Sequence, residues 1–168
     1  MYGLLGEHLT HSFSPQIHKA LGNDNYHLFE VAPESLEKFM RKKNFKGINV
    51  TIPYKKAVMQ YCDTISDLAA EIGSVNTLYF DGGKLCGTNT DYQGFLYAAE
   101  RAGISFDGRK VLILGNGGTS LTARKAVRDK GAVEILITTR RGEEGCIPYE
   151  KLSEHQDVEI IINTTPVG

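Results

Sequence analysis

The chain has 168 residues, of which 41% are hydrophobic and 23% are charged, a balance that permits a packed core and excludes an intrinsically disordered chain. Its formal net charge of -1 argues against nucleic acid or an acidic membrane surface as the main partner, so we expect a small-molecule ligand. No leader peptide and no bilayer-spanning apolar run is recognisable, and the three cysteines are scattered, which together predict a cytoplasmic protein.

Apolar strands and helices alternate over the first hundred residues. Strands are predicted from short apolar runs at 2–6, 26–31, 47–52, 74–80 and 84–89. The first helix is predicted to start near Pro15 with Ser14 as its cap, because serine suits the cap and proline the first turn. Further helices are predicted from position 33, at 54–62, at 66–72 and at 91–102. Asp81-Gly82-Gly83 predicts a hairpin between the last two strands.

A second set of alternating elements follows a boundary expected near 100–109. Strands are predicted at 110–115, 133–138 and 158–163, and a helix at 117–130. Apolar strands that alternate with helices are typical of α/β proteins whose parallel sheets are covered on both faces. We therefore divide the chain into a domain at 1–102 and a second one at 103–168.

A glycine-rich loop stands directly between the strand at 110–115 and the helix at 117–130. Gly115, Gly117 and Gly118 would let a pyrophosphate approach the backbone and the amino end of the helix. The general dinucleotide pattern has Gly or Ala at the last position, where this chain has Ser120. A plain tight turn is the alternative explanation of the glycines.

The end of the next strand distinguishes the two nicotinamide cofactors. NAD-binding proteins usually carry Asp or Glu there for the ribose 2′-hydroxyl. This chain instead has Arg140 and Arg141, either of which can pair with a 2′-phosphate. The pattern favours NADP, although two arginines after a strand are also found as plain solvated charges.

Polar residues of the first half of the chain collect at strand ends and turns. They are Ser12, Ser14, Asn49, Thr51, Lys55, Asn76, Asn89, Thr90 and Asp91. The carboxyl ends of parallel strands meet along one edge of a sheet, so these side chains are expected to line a crevice suited to a small polyhydroxylated acid. Taken singly, Lys55 also fits a surface lysine, and Asp91 also fits a helix cap.

Six short motifs occur in order along the chain. They are H-S-x-S-P at 11–15, N-V-T-x-P-x-K at 49–55, G-x-V-N-T at 73–77, N-T-D at 89–91, G-x-G-G at 115–118 and N-T-T-P-x-G at 163–168. In residue type and order they resemble the NADP-dependent shikimate dehydrogenase family. The resemblance implies a mostly parallel, three-layer substrate-binding domain at 1–102, followed at 103–168 by the first part of a Rossmann-type NADP-binding domain.

The resemblance also implies residue roles for the reversible reduction of 3-dehydroshikimate to shikimate in aromatic amino-acid biosynthesis. Lys55 and Asp91 would be the catalytic pair, and which of the two carries the transferred proton is left open. The implied substrate-binding residues are Ser12, Ser14, Thr51, Lys55, Asn76 and Asp91. The implied cofactor-binding residues are Gly115, Asn116, Gly117, Gly118, Thr119, Thr139, Arg140, Arg141 and Thr164. Tyr92 follows N-T-D where the family often has glycine, and it is expected to alter the rim of the pocket.

Two other interpretations stay open. One is a relative that acts on quinate, and the other is a substrate-binding fragment without turnover, because the second domain has three predicted strands whereas a complete dinucleotide fold has about six. We accordingly expect the 168-residue chain alone to be inactive. His8 and His11 are three positions apart, but no Cys, Asp or Glu completes a metal-ligand set with them, so no metal is expected. The sequence does not indicate an oligomeric state.

Overall fold

The computed structural model describes residues 1–10, 12–140 and 143–165. The chain divides into two compact units, Met1–Thr90 and Asp91–Gly168. Each unit has its own sheet, of six strands in the first and three in the second. Both are of the α/β class predicted from the alternation of apolar strands and helices.

Five of the six strands of the first unit lie close to the positions predicted from the sequence, and the short fourth strand was not predicted. The six are β1 (Tyr2–Gly6), β2 (Tyr26–Glu30), β3 (Gly47–Val50), β4 (Thr64–Ile65), β5 (Thr77–Asp81) and β6 (Lys84–Thr88). Their order across the sheet is β2-β1-β3-β5-β6-β4. β1 is parallel to both β2 and β3, whereas β5 is antiparallel to both β3 and β6. The predicted hairpin at Asp81-Gly82-Gly83 is therefore confirmed, and it is what reverses the direction of the chain between β5 and β6.

The helices of the first unit are short, and two expectations about them are corrected. They are α1 (Ser14–Ala20), α2 (Leu36–Lys42) and α3 (Asp67–Ile72), with 3₁₀ turns at Pro33–Ser35 and Ala57–Tyr61. Ser14 is the first helical residue and not the cap, because Phe13 occupies the cap position without a side-chain bond. The predicted helix at 54–62 is a turn followed by 3₁₀ structure. The Lys55 carbonyl accepts from the Val75 N–H at 2.8 Å, whereas the Met59 N–H, four positions on, donates to the Lys56 carbonyl at 3.2 Å in 3₁₀ fashion.

One face of the six-stranded sheet carries the core of the first unit. Leu5, Val50 and Leu78 are almost completely buried there, packed with Met40 of α2. On the opposite face Tyr2, Leu28 and Tyr79 share one side of their strands and are 46%, 41% and 45% exposed. The described residues therefore cover this second face only in part, whereas the sequence pattern predicted cover on both.

Within its described residues the second unit has three parallel strands and two α-helices. The elements are α4 (Asp91–Arg101), β7 (Lys110–Leu114), α5 (Gly118–Asp129), β8 (Glu134–Thr138) and β9 (Ile160–Asn163), with a 3₁₀ helix at Tyr149–Glu154 that was not predicted. The order β8-β7-β9 puts the most apolar strand in the middle, where Val111 and Ile113 are fully buried. A central parallel strand is covered on both faces, which explains the continuous apolar run of its sequence.

Helix α4 belongs to the second unit, so the units divide at Thr90 and Asp91 instead of after residue 102. The ring of Phe95 stacks on Phe106 with centroids 5.8 Å apart, and Ala99 is part of the same core. The Tyr92 hydroxyl donates to Asp129 Oδ2 at 2.7 Å, which joins the start of α4 to the end of α5. Tyr92 is 9% exposed and thus has a packing role. No linker composition marks this division, which is why sequence patterns placed it later.

Candidate active site

The polar residues of the first unit lie along one edge of its sheet. Thr51 follows β3, and its N–H donates to the carbonyl of Leu5 on β1 at 2.8 Å. Because β5 is antiparallel to β3, its amino end, with Asn76 just before it, reaches the same edge. Thr90 follows the carboxyl end of β6 there. The structure thus brings together the strand ends that the sequence placed in one crevice.

Asn76 is the centre of the hydrogen bonding at this edge. It is 7% exposed, and its Oδ1 accepts from the Thr90 N–H at 2.9 Å and from Thr77 Oγ1 at 3.0 Å. Its Nδ2 donates to Thr90 Oγ1 at 3.0 Å. A buried amide held on both sides has one orientation. Because Asp91 directly follows Thr90 in the chain, these bonds also fix the backbone immediately before α4.

A second group of hydrogen bonds extends the edge toward β2. The Tyr26 hydroxyl donates to Asn49 Oδ1 at 2.8 Å, and Asn49 Nδ2 donates to Thr77 Oγ1 at 3.2 Å. Burial raises the pKa of Tyr26 to about 12, and a hydrogen bond with Ser14 acts in the opposite direction. Tyr26 therefore stays a protonated donor at neutral pH. Sequence reasoning missed Tyr26 and Thr77, because tyrosine and threonine are also ordinary strand residues.

The two predicted carboxylate-binding serines lie together at the start of α1. The Ser14 N–H donates to Ser12 Oγ at 3.2 Å, and the Ser12 N–H donates to the Leu9 carbonyl at 3.1 Å. Both residues are partly exposed, so their two hydroxyl groups lie at a surface that a small anion can reach. His11, which opens the first motif, lies outside the described residues.

Lys55 lies in the turn that follows β3 and is half-buried, whereas Lys56 beside it is exposed. Its backbone is held by the Val75 N–H. The preceding residue, Tyr54, is 3% exposed and donates its hydroxyl to the Val31 carbonyl. The turn is therefore anchored at the lysine and at the residue before it. Asp91 is the first residue of α4 in the second unit, and its pairing with Lys55 stays a prediction.

The glycine loop of the second unit is a tight turn, and its first position, Gly115, fits only glycine. Gly115 has φ +99°, and its N–H donates to the Thr138 carbonyl at 2.8 Å. A Cβ at Gly115 would lie 3.0 Å from Thr164 Oγ1. Thr164 itself donates to the Leu114 carbonyl at 2.6 Å. Thr164 was predicted to bind the cofactor, and in this structure it supports the loop.

The amino end of α5 fits a phosphate group. Gly117 occupies the cap position with no side-chain bond, and a Cβ there would meet nothing within 4 Å, so the approach to the helix terminus is open. Helix α5 has 12 residues, and its first N–H groups and dipole favour an anion. Thr119 is exposed in the first turn, whereas Ser120 is fully buried and packs where the pattern has glycine.

A hydroxyl group and a cation directly follow β8 in the second unit. Thr139 is 7% exposed, and its Oγ1 has no hydrogen-bond partner within the described residues. Arg140 next to it is exposed, and Arg141 lies outside the part of the chain that the structure describes. A buried hydroxyl without a partner, followed by a guanidinium, suits the ribose phosphate of a dinucleotide. The residues present therefore fit NADP.

Glu143 is a further residue at the glycine loop that sequence reasoning missed. Its carboxylate accepts from Asn116 Nδ2 at 2.6 Å. Asn116 was predicted to contact the cofactor, so the bond ties the segment after β8 to the loop. The sequence contains no signal for this contact, because the two residues are 27 positions apart.

Two other properties follow from the described residues. Within 1–10, 12–140 and 143–165 the side chains of His, Cys, Asp and Glu form no group of three that could hold a metal ion. The same part of the chain has no helix of the length and apolar character that a bilayer crossing requires.

Comparison with known proteins agrees with this geometry. Residues 4–78 match the family described as the shikimate dehydrogenase substrate binding domain. The NADP(+)-dependent shikimate dehydrogenase of Clostridium beijerinckii is 41% identical over 99% of this chain, which spans 68% of that protein. The crystal structure of shikimate dehydrogenase 1 from Peptoclostridium difficile is 40% identical with a TM-score of 0.90, over 99% of this chain and 66% of the other.

A third relative binds both ligands. The Thermus thermophilus enzyme in complex with NADP(H) and shikimate is 30% identical with a TM-score of 0.79, over 99% of this chain and 69% of that one. An α/β chain with a polar ligand edge and a dinucleotide loop has the parts of a nicotinamide-dependent dehydrogenase. The similarity to these relatives shows that the chain belongs to the shikimate dehydrogenase family. The chain spans about two thirds of their length. The predicted family and fold class are confirmed, and NADP is the cofactor named for the relatives.

A pair of glycine substitutions tests the geometry of the loop. Gly115→Ala is expected to lower the free energy of unfolding by about 1–2 kcal/mol, because alanine is strained at positive φ and its Cβ would press on Thr164. Gly117→Ala has an ordinary φ of -87° and open space, so its stability should match that of the unchanged chain. Urea denaturation measures both. Equal losses of stability in the two variants would contradict the assignment of the turn.

Proposed function

We propose that this protein catalyses the reversible reduction of 3-dehydroshikimate to shikimate with NADPH. The observation that carries the proposal is the polar edge of the first unit. Thr51 and Asn76 lie there at the ends of strands, together with Ser12 and the half-buried Lys55. Hydroxyl and amide donors of this kind suit a carboxylate and several ring hydroxyls. The family and the shikimate bound in the Thermus thermophilus relative support the same substrate.

The proposed substrate contacts follow the chemistry of each group. Ser12 and Ser14 donate to the carboxylate, since their hydroxyls lie together at the start of α1. Thr51 and Asn76 bind ring hydroxyls from the ends of β3 and β5. Rigid strand ends hold such contacts more accurately than long loops do, which favours both affinity and correct orientation of the reacting carbon.

Lys55 is the proposed general acid. In the direction of reduction its ammonium group gives a proton to the carbonyl oxygen while hydride adds to the carbonyl carbon, which yields the alcohol. In the reverse direction the neutral amine takes the hydroxyl proton back. Asp91 is the proposed partner of Lys55, either as an orienting carboxylate for the substrate or as a member of a shared proton system.

The cofactor proposal rests on the second unit. When bound, NADPH supplies the hydride. The glycine loop and the amino end of α5 would hold its pyrophosphate, and Thr139 with Arg140 would hold the 2′-phosphate of the ribose. We also propose a cytoplasmic location, which three free cysteines and a nicotinamide cofactor support.

The role of Lys55 is tested against its neighbour. Lys55→Ala in the natural protein should lower kcat for shikimate oxidation by about 10²- to 10⁴-fold, the usual contribution of one general acid or base. Lys56→Ala removes an equal charge from an exposed site and should leave kcat nearly unchanged. Steady-state kinetics at saturating NADP measures both. If the two variants lost activity equally, Lys55 would not be the acid.

Cofactor choice is tested at Arg140. Arg140→Ala should weaken NADPH binding by about 1.5–3 kcal/mol, the scale of a hydrogen bond to a charged group, and should leave NADH binding unchanged because NADH has no 2′-phosphate. Arg128→Ala, at the far end of α5, removes the same charge as a control. Titration calorimetry gives the dissociation constants. An unmodified protein that prefers NADH would overturn the assignment.

A further inference from the structure

We propose that Tyr26 is a positioning residue for the substrate, and that it acts through Asn49 and Thr77 to make Asn76 a hydrogen-bond donor to the ligand. The inference rests on the proposed function, because it concerns the same substrate edge. Tyr26 belongs to none of the motifs by which the chain resembles its family. Its connection to Asn76 is seen only in the folded structure.

The hydrogen bonds from Tyr26 to Asn76 form a series in which each group donates to the next one. Tyr26 gives its proton to Asn49 Oδ1 at 2.8 Å, which leaves the Asn49 amide nitrogen to donate to Thr77 Oγ1 at 3.2 Å. Thr77 has one hydroxyl hydrogen and gives it to Asn76 Oδ1 at 3.0 Å. Tyr26 is the first donor of this series, and Thr90 Oγ1 also lies 3.5 Å from Thr77 Oγ1 and 3.2 Å from Asn76 Oδ1.

The orientation of Asn76 follows from this order. Its Oδ1 accepts from both Thr77 and the Thr90 N–H, and a carbonyl oxygen has two lone pairs. The nitrogen side of the amide is consequently the side with which Asn76 meets a hydroxyl of the substrate. If the amide turned over, its nitrogen would face the Thr90 N–H, and the substrate would meet an acceptor instead of a donor.

The position of Tyr26 is itself well defined. Its ring stacks on His18 of α1 with centroids 3.7 Å apart and an interplanar angle of 12°. Ser14, one of the proposed carboxylate-binding residues, lowers the pKa of Tyr26 against the effect of burial. The ring is held by packing, so that removal of the hydroxyl alone leaves the tyrosine site filled.

Tyr26→Phe in the natural protein tests the inference, with Tyr79→Phe on the same sheet face as the control. Tyr26→Phe should raise KM for shikimate about tenfold, with kcat and the KM for NADP within about twofold of the unchanged values, because one substrate contact loses its preferred orientation. Tyr79→Phe should leave all three constants unchanged. A thermal unfolding curve confirms that each variant is folded.

Thr77 supplies the second arm of the test. Thr77→Val breaks the chain of donors and should raise KM to a similar degree, whereas Thr77→Ser keeps the hydroxyl and should restore the original KM. In the Thr77→Val background Tyr26→Phe should have no further effect, since the two act in series. If the increases in KM caused by Thr77→Val and Tyr26→Phe multiply in the double variant, the inference is overturned while the proposed function stands. The same holds if the KM of Tyr26→Phe equals that of Tyr79→Phe. If the natural protein without substitutions does not turn over shikimate, both the inference and the proposed function are overturned.

Discussion

The buried amide of Asn76 is the interaction on which the candidate site depends. A polar group that is 7% exposed must be satisfied, and here Thr77, Thr90 and the neighbouring strands satisfy it. These bonds join the amino end of β5 to the carboxyl end of β6. They also hold the backbone that leads into α4. The requirement to satisfy one amide thus shapes the substrate edge.

The direction of β5 is what makes this arrangement possible. In an all-parallel sheet Asn76 would lie at the opposite end from Thr51 and Lys55. The hairpin at Asp81-Gly82-Gly83 returns the chain at once, so that β5 enters and β6 leaves at the same edge. The second unit uses the more common parallel arrangement, in which the glycine loop follows the central strand β7 directly.

The sequence predicted the strands and the loop glycines well, because apolar runs and turn residues are local signals. It predicted the wrong cap for α1 and a regular helix at 54–62. In that segment a long-range bond from Val75 occupies the carbonyl of Lys55, which no local pattern reveals. Tyr26 and Glu143 were missed for the same reason, since their partners are 23 and 27 positions away. The motif residues were found from the resemblance, whereas the contacts that orient them required the fold.

The most direct test of the proposed role of Asn76 is the response of its side-chain amide to shikimate. In a nuclear magnetic resonance titration of the isotope-labelled protein, the two Nδ2 hydrogens of Asn76 should shift and saturate together with ligand binding, as expected for a donor to the substrate. The amide of Asn23, which caps an exposed turn, should stay in place. Binding of shikimate that leaves the Asn76 signals unchanged would contradict the account.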